Sequence, residues 1–417
     1  MIKWLTNNIG TGSYEKVISL IEPDVDLLDV RDLVDKEGNN VEAIKQKINQ
    51  GLNSLIGGKK LVICCDYGMS RSNSIAMGII AKYYGISLLD ALNKVKGVVS
   101  ETDVKLSVLH KVLEVLDNSD KEKQPKIQES KKILITGANG FIGRETIPLL
   151  KNDGHLLYTP PRNQLDIEYQ NISLSLFVRE KQIDTVIHLA NPRVYTSVES
   201  LGKSLIMLKN ILDVCAQNKI RIIYVSGWEV YSGYKSICLY ADETLPALPK
   251  GTYAETKWLS EQLIEKYHQN YQLNYVILRS SPIYGVGSDK PKFIYNFIDK
   301  AIKNEPIITH EYLNGKPSLD LLHIKDFARA LQKAIFLPNG FNSSINLGTG
   351  NLTSTFEIAN MIIRVLSSHS EVTSLKIEDY CACIAMKTDK AQRILSWQPT
   401  IDVDSGINEI LQDKYLI

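Results

Sequence analysis

A regular alternation of apolar runs and amphipathic segments in the C-terminal part of the chain constrains its fold most. The runs KILITG, HLLYTP, TVIHLA, IRIIYVS and YVILRSSPIYG follow one another from residue 132 to residue 285, separated by segments with helical periodicity. Strands that alternate with helices in this way pair in parallel, and helices cover both faces of the sheet. We therefore predict an α/β fold with a doubly wound parallel sheet.

A second, smaller α/β region precedes this one. DLLDV and KLVICC are typical of strands, EAIKQKINQGLNSLI between them is typical of a helix, and two more helical segments follow Arg71. The polar segment NSDKEKQPKIQESKK then lacks any apolar periodicity, as linkers do. A chain of 417 residues is also too long for one ordinary core. We predict a domain at 1–118, a linker at 119–131 and a second domain at 132–417.

The composition limits the partners and the compartment. A net charge of +1 gives no bulk attraction to nucleic acid or to an anionic membrane. No run approaches the roughly 18 apolar residues of a membrane span, and the start of the chain lacks the apolar core of a secretion signal. The six cysteines form no disulfide framework, and Cys381 and Cys383 are spaced poorly for a metal. We expect a cytoplasmic protein with no nucleic-acid, membrane or metal partner.

The stretch ICCDYGMSRS predicts a loop that holds a phosphate. The strand LVICC ends at Cys65 and a helix starts near Arg71, so backbone N–H groups between them point inward at a helix N-terminus. Gly68 permits the tight turn, and the Arg71 guanidinium offers a planar fork to two phosphate oxygens. The same dipoles lower the pKa of the Cys65 thiol, which makes it a nucleophile, and Ser72 can donate to the thiolate.

This loop resembles the active-site loop of the dual-specificity protein tyrosine phosphatases. Cys65, Gly68, Arg71 and Ser72 match the family's motif, and the resemblance extends over roughly residues 20–116. It implies a small phosphatase-like α/β domain that acts on a phosphoester substrate. The expected mechanism has a phosphocysteine intermediate at Cys65.

The same resemblance implies a general acid upstream of the nucleophile. In LLDVRDLVDKEGNN, Asp32 fits the family's strand pattern best, and Asp35 is the second candidate. The family places a histidine directly before the nucleophile, where this chain has Cys64. Since that histidine helps to acidify the thiol, the substitution lowers the expected activity.

The stretch ITGANGFIG predicts a second loop, which binds a dinucleotide. It places Gly137, Gly140 and Gly143 between a strand and a helix. The first glycine makes the turn, the second lets the backbone approach a pyrophosphate, and the third lets the helix pack closely on the strand.

From residue 131 to about residue 415 the chain is similar to the extended short-chain dehydrogenase/reductase family of sugar-nucleotide epimerases, dehydratases and reductases. The matched segments are TGANGFIG at 136, HLAN at 188, YAETK at 253, LRSSPIYGVG at 278, LLHIKDFARAL at 321, INLGTGN at 345 and ILSWQPT at 394. The resemblance implies a Rossmann domain with a substrate lobe, a sugar substrate, an NAD(P) cofactor and a homodimer. The cofactor-binding residues it implies are Gly137, Asn139, Gly140, Phe141, Ile142, Gly143, Leu189, Ala190 and Asn191, with Asp166 and Ile167 at the adenine.

Tyr253 and Lys257 are the predicted catalytic pair. They are four residues apart, hence on one face of a helix. A nearby ammonium and a positive nicotinamide depress the pKa of the phenol, so that a tyrosinate takes a proton from a sugar hydroxyl as hydride leaves. Lys257 is also expected to hold the nicotinamide ribose.

The end of the second strand bears on the choice between NAD and NADP. NAD enzymes carry an acidic residue there to bind the ribose hydroxyls, whereas PPRNQLDI places Arg162 near that position. Arginine suits a 2′-phosphate, so the sequence favours NADP over NAD. The alternative is that Arg162 stacks on the adenine without contacting a phosphate.

Two departures from the family pattern concern the chemistry. The family's catalytic Ser or Thr lies four residues before Tyr231, where this chain has Gly227. Ser226 is one position away and can replace it only if the backbone bends there. The Asp-Glu pair of the dehydratases is Trp228-Glu229 here, which argues against 4,6-dehydration. Glu229 is either an acid or base, or a solvent-facing residue.

The remaining departures concern the substrate. Leu319 replaces an arginine that binds the nucleotide diphosphate in many relatives, and Lys316 is the nearest cation. His323 is expected to be packed in the core. We therefore predict an NAD(P)-dependent epimerase or ketoreductase of a sugar or nucleotide sugar, fused to a cysteine-dependent phosphatase. The alternative is a sensor or scaffold that binds dinucleotide and phosphate without turning them over.

Overall fold

The structure is a computed structural model, and its contacts divide the chain into two compact units. It describes residues 2–34, 38–84, 86–95, 97–99, 104, 106–117, 130–192, 196–235, 238–288 and 291–415. The first unit comprises Met1–Glu129 with Leu165–Gln182, and the second comprises Ser130–Gln164 with Ile183–Ile417. Residues 119–129 of the predicted linker, and Asp35, lie outside the described residues.

Strands and helices alternate along most of the chain. The strands are β1 (Lys3–Trp4), β2 (Ile9–Ser13), β3 (Val25–Asp29), β4 (Lys60–Cys65), β5 (Lys132–Thr136), β6 (Leu156–Tyr158), β7 (Thr185–His188), β8 (Arg221–Gly227), β9 (Leu239–Ala241), β10 (Tyr275–Ser280), β11 (Ile283–Tyr284), β12 (Ile307–Tyr312), β13 (Ser318–Leu319), β14 (Leu322–His323), β15 (Ser343–Leu347), β16 (Thr353–Ser354), β17 (Val372–Ile377) and β18 (Ile384–Met386). The helices are α1 (Tyr14–Val17), α2 (Val41–Ile56), α3 (Ser70–Tyr84), α4 (Leu88–Val95), α5 (Leu106–Asp117), α6 (Phe141–Asn152), α7 (Asn171–Glu180), α8 (Val198–Asn218), α9 (Thr252–Tyr271), α10 (Lys292–Ile302), α11 (Ile324–Ile335), α12 (Thr355–Leu366), α13 (Asp389–Leu395) and α14 (Val403–Tyr415). Short 3-10 turns lie at Ile18–Leu20 and Trp228–Tyr231.

The described part of the first unit contains a four-stranded sheet in the order β1-β2-β4-β3. The interior strand β4 pairs in parallel with β2 and β3, and its residues from Leu61 to Cys65 are buried. On α2, the residues Ile44, Ile48, Gly51 and Leu55 recur at helical spacing and form one buried face against this core. The arrangement places Cys65 at the carboxyl end of an interior strand, directly before the loop that leads into α3.

The helix α7 packs with the first unit, which the predicted boundary at residue 132 does not provide for. Ile172 and Leu176 are buried in the hydrophobic core of the first unit. The buried Ser175 hydroxyl lies 2.8 Å from Nε2 of His110 on α5. These contacts, rather than the position of the segment in the chain, assign residues 165–182 to the first unit.

The described part of the second unit contains a six-stranded sheet in the order β15-β10-β8-β7-β5-β6, with every pairing parallel. The strands β7, β8 and β10 are buried along their whole length, as expected when helices cover both faces. The predicted doubly wound parallel sheet is confirmed. Its strand order reverses between β5 and β7, and in such sheets ligands bind outside the carboxyl ends at this switch point.

A smaller lobe is built from segments that follow β10 in the chain, before and after the sheet strand β15. Its core contains Tyr284, Phe297, Ile307, Ile362 and Ile410, from β11, α10, β12, α12 and α14. The pairs β11–β14, β12–β17, β13–β16 and β9–β18 complete the described sheets of the unit.

The buried carboxylate of Asp320 connects loops of the second unit. It accepts hydrogen bonds from the backbone N–H groups of Thr349, Gly350 and Met386 at 2.7, 3.2 and 2.9 Å. His323 is fully buried, as expected for a core residue. It is also the N-cap of α11, where its side chain accepts a hydrogen bond from the backbone N–H of Lys325.

Among the described residues, no single helix has the length and hydropathy needed to cross a membrane. The pair α3 and α4 meets that criterion only when the two are counted together, and they are bent by 112° at their junction.

Candidate functional site

The glycine-rich turn after β5 has the geometry that its sequence predicts. Gly137 has a φ of +71°, and a Cβ on it would lie 2.7 Å from the backbone N of Ala190. A Cβ on Gly143 would lie 2.2 Å from the carbonyl oxygen of Ala138, so only glycine lets α6 start this close to the turn. Gly140 is the N-cap residue of α6, whose first backbone N–H groups face the same side as the turn.

A cavity of about 680 Å³ opens at the carboxyl ends of β5, β7, β8 and β10, within the second unit. Of the predicted site residues, it is lined by Gly137, Gly140, Phe141, Ile142, Gly143, Leu189, Ala190, Asn191, Ser226, Tyr253 and Lys257. The turn that suits a pyrophosphate and the predicted catalytic pair therefore lie in one cavity. Its volume is in the range of small-molecule and cofactor sites.

The Lys257 ammonium lies among aromatic rings beside the cavity. Its Nζ donates to the backbone oxygen of Val225 at 2.8 Å and lies 5.0 Å from the ring centroid of Tyr224 and 5.5 Å from that of Tyr253. Burial alone lowers the pKa of Lys257, but interactions with the oxygens of Tyr224 and Tyr253 outweigh it and raise the pKa above its ordinary value. The lysine therefore stays positively charged beside the phenol.

His188 stacks with Tyr224, one of the two rings beside Lys257. Its Nδ1 lies 2.7 Å from the Thr136 hydroxyl, and its ring stacks with Tyr224 at a centroid distance of 6.0 Å. Burial lowers the pKa of His188 to about 3, with a smaller contribution from Lys257. The imidazole is therefore neutral and does not compete for the proton of the phenol.

The structure brings Glu229 into the cavity, close to Gly227. The 3-10 turn Trp228–Tyr231 places Glu229 among the residues that line the cavity. The alternative of a solvent-facing Glu229 is therefore wrong. Burial raises the pKa of Glu229 to about 7, and Lys257 opposes this only in part. Ser226 also lines the cavity, and its buried hydroxyl has no hydrogen-bond partner among the described residues.

A buried ion pair that no sequence periodicity predicts holds the helix of the predicted catalytic pair. The guanidinium of Arg279 on β10 donates to the Glu261 carboxylate of α9 at 3.1, 3.1 and 2.6 Å, and to the Tyr231 hydroxyl at 2.6 Å. The side chains of Arg279 and Glu261 are 7% and 0% exposed. An available signal was the arginine within the otherwise apolar strand YVILRS, whose charge requires a buried acidic partner.

The remaining predicted cofactor-binding residues do not line this cavity. Asn139 and Arg162 are both exposed, and neither is among the residues that line the cavity. Asp166 and Ile167 belong to the first unit by their contacts, where an Asp166 carboxylate oxygen accepts from the backbone N of Glu168 at 3.0 Å. Their roles toward a cofactor stay predictions.

The loop after β4 in the first unit surrounds the Cys65 sulfur with donors. Ser72 Oγ lies 3.4 Å from Sγ, and backbone N–H groups of Ser72, Met69 and Gly68 point at the sulfur. Burial raises the pKa of the Cys65 thiol, but these hydrogen bonds outweigh it, and the net pKa is lowered. Gly68 has a φ of +68°, and a Cβ on it would lie 2.1 Å from a backbone atom of Ser13. Only glycine fits this turn.

Arg71 lies beside the segment that carries the predicted general acid. Its guanidinium donates to the backbone oxygens of Arg31 at 3.1 Å and Leu33 at 2.7 Å, and to the Asp66 carboxylate at 2.5 Å. Asp32 lies between those two carbonyls in sequence. Its side chain is 60% exposed and pairs with Lys47 at 3.0 Å.

The cysteines other than Cys65 have other surroundings. Cys64, in place of the family's histidine, is buried, and burial raises the pKa of its thiol to about 12. Cys381 and Cys383 have their sulfurs 3.6 Å apart. Among the described residues no group of three or more His, Cys, Asp or Glu side chains could hold a metal ion.

Comparison with known proteins identifies relatives of the second unit. Residues 133–348 match the model of the NAD dependent epimerase/dehydratase family. A putative UDP-glucose 4-epimerase of Methanocaldococcus jannaschii is 29% identical over 309 residues, which cover 67% of this chain and 97% of that protein. UDP-glucuronic acid decarboxylase 1 of Xenopus tropicalis is 22% identical and covers 73% of this chain and 78% of its own length.

A solved structure agrees with the fold. The crystal structure of Thermus thermophilus UDP-glucose 4-epimerase in complex with NAD superposes with a TM-score of 0.58 at 22% identity. The match covers 67% of this chain and 98% of that one. The solved structure therefore shares the Rossmann-like parallel-sheet fold of this chain.

Proposed function

The chain belongs to the NAD dependent epimerase/dehydratase family, and from this premise we propose that its second unit is an NAD(P)-dependent epimerase or ketoreductase of a nucleotide-linked sugar. One observation carries the proposal. The Lys257 ammonium lies 5.5 Å from the ring centroid of Tyr253 in the cavity that begins at the glycine turn. A proton acceptor and a dinucleotide loop thus share one cavity.

The residues present fit a dinucleotide. At Gly140 the backbone is bare toward the cavity, since a Cβ there would contact only the Gly137 carbonyl oxygen, at 3.1 Å. The N–H groups of Phe141 and Ile142 at the start of α6 provide partial positive charge for a pyrophosphate. When bound, the nicotinamide supplies reversible hydride transfer at a sugar carbon.

The chain's own residues manage the proton. We assign the Tyr253 phenolate as the acceptor of the sugar O–H proton while the C–H electron pair leaves as hydride, so that the carbon becomes a ketone. The charge of Lys257, held by the Val225 carbonyl, stabilises the phenolate before transfer. Return of the hydride to the other face inverts the carbon, whereas delivery to a bound ketone reduces it.

The substrate class follows from the relatives and from one departure. The two relatives are named for UDP-glucose and UDP-glucuronic acid, which supports a nucleotide sugar. Trp228 stands where the dehydratases of the similar family have an aspartate, which disfavours 4,6-dehydration. Lys292 at the start of α10 also lines the cavity and supplies a cation for a diphosphate. Epimerisation and ketone reduction are therefore the proposed reactions.

A panel of UDP-glucose, UDP-N-acetylglucosamine, UDP-glucuronic acid and their 4-keto derivatives tests this function. The wild type with NAD should epimerise a sugar, or with NADPH reduce a ketone, as followed by NMR of the product. Tyr253→Phe should lower turnover by about 100-fold or more, because the proton acceptor is lost. Tyr271→Phe, at the exposed end of the same helix, is the control and should leave turnover unchanged. Binding of NAD without turnover of any panel member would instead support the sensor or scaffold alternative.

For the first unit we propose cysteine-dependent phosphatase activity as a second function. The supporting observation is the ring of donors around Cys65, which stabilises a thiolate at the N-terminus of α3. Displacement of Asp66 would free Nη2 of Arg71 for a phosphate oxygen, while Nη1 keeps its contacts with the backbone oxygens of Arg31 and Leu33, on either side of Asp32 in sequence. The family match begins at residue 133, so this proposal depends on the loop alone.

Hydrolysis of p-nitrophenyl phosphate tests the phosphatase proposal. The wild type should release phosphate, and Cys65→Ser should reduce the rate to background, because the nucleophile is lost. Cys64→Ser is the matched control, since its thiol lies outside the loop. Equal rates in wild type and Cys65→Ser would exclude the activity, and Tyr253→Phe should leave it unchanged.

A further inference from the structure

Position 227 has no side chain, and a neighbouring carboxyl fills the space a side chain would take. The φ and ψ of Gly227 are −152° and 169°, a conformation open to any residue. A Cβ at this position would lie 2.1 Å from Oε2 and 3.2 Å from Cδ of Glu229, whereas the next atom, the Ser280 carbonyl oxygen, lies 3.6 Å away. The Glu229 carboxyl, at the end of a flexible side chain, is therefore the group that a side chain at this position would displace.

The same carboxyl belongs to the cavity of the predicted catalytic pair. Glu229 lines the cavity together with the other titratable groups Tyr253, Lys257, Tyr224, His188 and Lys292. Burial raises the pKa of Glu229 to about 7, so a large share of the carboxyl is protonated near neutral pH. A protonated carboxyl donates a hydrogen bond, as a hydroxyl does.

Ser226 is the alternative donor, because its hydroxyl also lines the cavity without a partner among the described residues, but its position on the strand disfavours it. It is the residue before Gly227 on β8, and neighbouring strand side chains point to opposite faces. The place to which a side chain at 227 would point is occupied by Glu229, not by the Ser226 hydroxyl.

We propose that the Glu229 carboxyl performs the role that a Ser or Thr hydroxyl at position 227 has in the extended short-chain dehydrogenase/reductase family. This rests on the epimerase or ketoreductase function above. The protonated carboxyl donates a hydrogen bond to the reacting sugar oxygen and keeps its own proton. The sugar O–H proton passes to Tyr253 Oη, the C–H electron pair leaves as hydride to the dinucleotide, and the C=O double bond forms. Glu229 is thus a catalytic residue that orients the oxygen and stabilises its negative charge.

An exchange of donors tests the assignment. Glu229→Ala should lower turnover by about 100-fold, as loss of one such donor does. The double variant Gly227→Ser/Glu229→Ala puts a hydroxyl where the carboxyl was and should recover about tenfold or more of the loss.

The pH dependence separates a catalytic from a structural role. Turnover by the wild type should fall as the pH rises through about 7, because the carboxylate cannot donate. Glu229→Gln and the double variant should lack this decrease, since an amide and a hydroxyl donate at any of these pH values.

Thermal unfolding of the cofactor-free protein gives a measurement independent of activity. A carboxyl whose pKa is raised in the folded state holds its proton longer than in the unfolded state, so the folded state loses stability as the pH rises. The Tm of the wild type should therefore fall relative to Glu229→Gln from about pH 4.5 to about pH 7. Glu255→Gln, an exposed residue of α9, should show no such difference from the wild type.

The outcomes distinguish this inference from the proposed function. If Tyr253→Phe abolishes turnover while Glu229→Ala does not lower it, the inference is wrong and the proposed function stands. A decrease with pH that persists in Glu229→Gln, or no recovery in the double variant, also contradicts the inference. A wild type that turns over no panel member contradicts the proposed function and this inference together.

Discussion

At the scale of single residues, two adjacent cysteines show how the surroundings set the chemistry of a thiol. Cys64 and Cys65 are both buried at the end of β4. Burial raises the pKa of the Cys64 thiol to about 12, and no donors compensate strongly enough. Around Cys65, the Ser72 hydroxyl and backbone N–H groups more than compensate for burial, and the pKa is lowered. Cys64 and Cys65 are neighbours on one strand, yet the Cys64 thiol is inert and the Cys65 thiol is a candidate nucleophile.

The Ser72 hydroxyl should matter for the reactivity of Cys65. Ser72→Ala removes a hydrogen bond to the thiolate, worth about 1.5 kcal/mol for a charged acceptor, so the pKa of Cys65 should rise by about one unit. The rate of alkylation of Cys65 by iodoacetamide at neutral pH should fall about tenfold, as measured by mass spectrometry of the modified peptide. Ser74→Ala is the control and should react like the wild type, because the Ser74 hydroxyl, two residues further along α3, donates to the Ser70 backbone oxygen. An unchanged rate in Ser72→Ala would remove this support for the loop.

Arg162 should decide between NAD and NADP. It is exposed in the turn after β6, where the second strand of the sheet ends. If it contacts a 2′-phosphate, Arg162→Ala should weaken NADP binding by about tenfold and leave NAD binding within about twofold, as measured by calorimetry. The exposed Lys151 of α6 provides a control, because Lys151→Ala removes a cation elsewhere on the unit. Equal losses for NAD and NADP would show that Arg162 does not contact a 2′-phosphate.

At the scale of elements, a buried ion pair as well as apolar packing holds α9, the helix that carries the predicted catalytic residues Tyr253 and Lys257. Arg279 on β10, Glu261 on α9 and Tyr231 after β8 form one buried hydrogen-bonded group. Glu261 is four residues beyond Lys257, so it lies on the same side of α9 one turn away. The group therefore sets the position of Tyr253 and Lys257 against the end of β8.

Removal of one partner should leave a buried charge without compensation. Glu261→Gln should lower the free energy of unfolding by about 3 kcal/mol in urea denaturation. Arg364→Ala breaks an ion pair whose side chains are 68% and 46% exposed, and it should cost less than about 1 kcal/mol. Equal, small losses in both variants would show that the buried pair does not hold α9.

The sequence predicts the strands, helices and turns better than it predicts which distant side chains pair or pack with one another. The apolar runs and the glycine fingerprint predict the parallel sheet and the tight turn after β5, because both depend on local periodicity and backbone conformation. The pairing of Arg279 with Glu261 and the packing of α7 in the first unit depend on residues distant in sequence, which no periodicity shows. The sequence does not decide whether Glu229 faces a site or the solvent, because the direction of its side chain depends on the turn after β8.

At the scale of the whole molecule, each unit carries its own candidate site, and the second also carries a candidate dimer surface. The helices α8 and α9 pack together, and each has exposed apolar side chains, including Ile206 on α8 and Leu259 on α9. We propose this exposed apolar surface as the interface of the homodimer that the family resemblance implies.

The double variant Ile206→Lys/Leu259→Lys should convert a homodimer into a monomer. Charges at an apolar interface are costly to bury, so light scattering should show the mass fall from two chains to one. Leu375→Lys places a charge on an exposed residue of β17 and should leave the mass unchanged. A wild type that is monomeric at all concentrations would exclude the dimer.

The most direct test of the proposed function measures hydride transfer within a single turnover. The NAD-loaded protein is mixed with each panel sugar, and the NADPH-loaded protein with each 4-keto derivative, while the absorbance of reduced nicotinamide is followed. We predict that at least one sugar increases this absorbance, or at least one ketone decreases it, in the wild type and that none does so in Tyr253→Phe. If the dinucleotides bind and no panel member changes the absorbance, or if Tyr253→Phe responds as the wild type does, hydride chemistry through Tyr253 is contradicted.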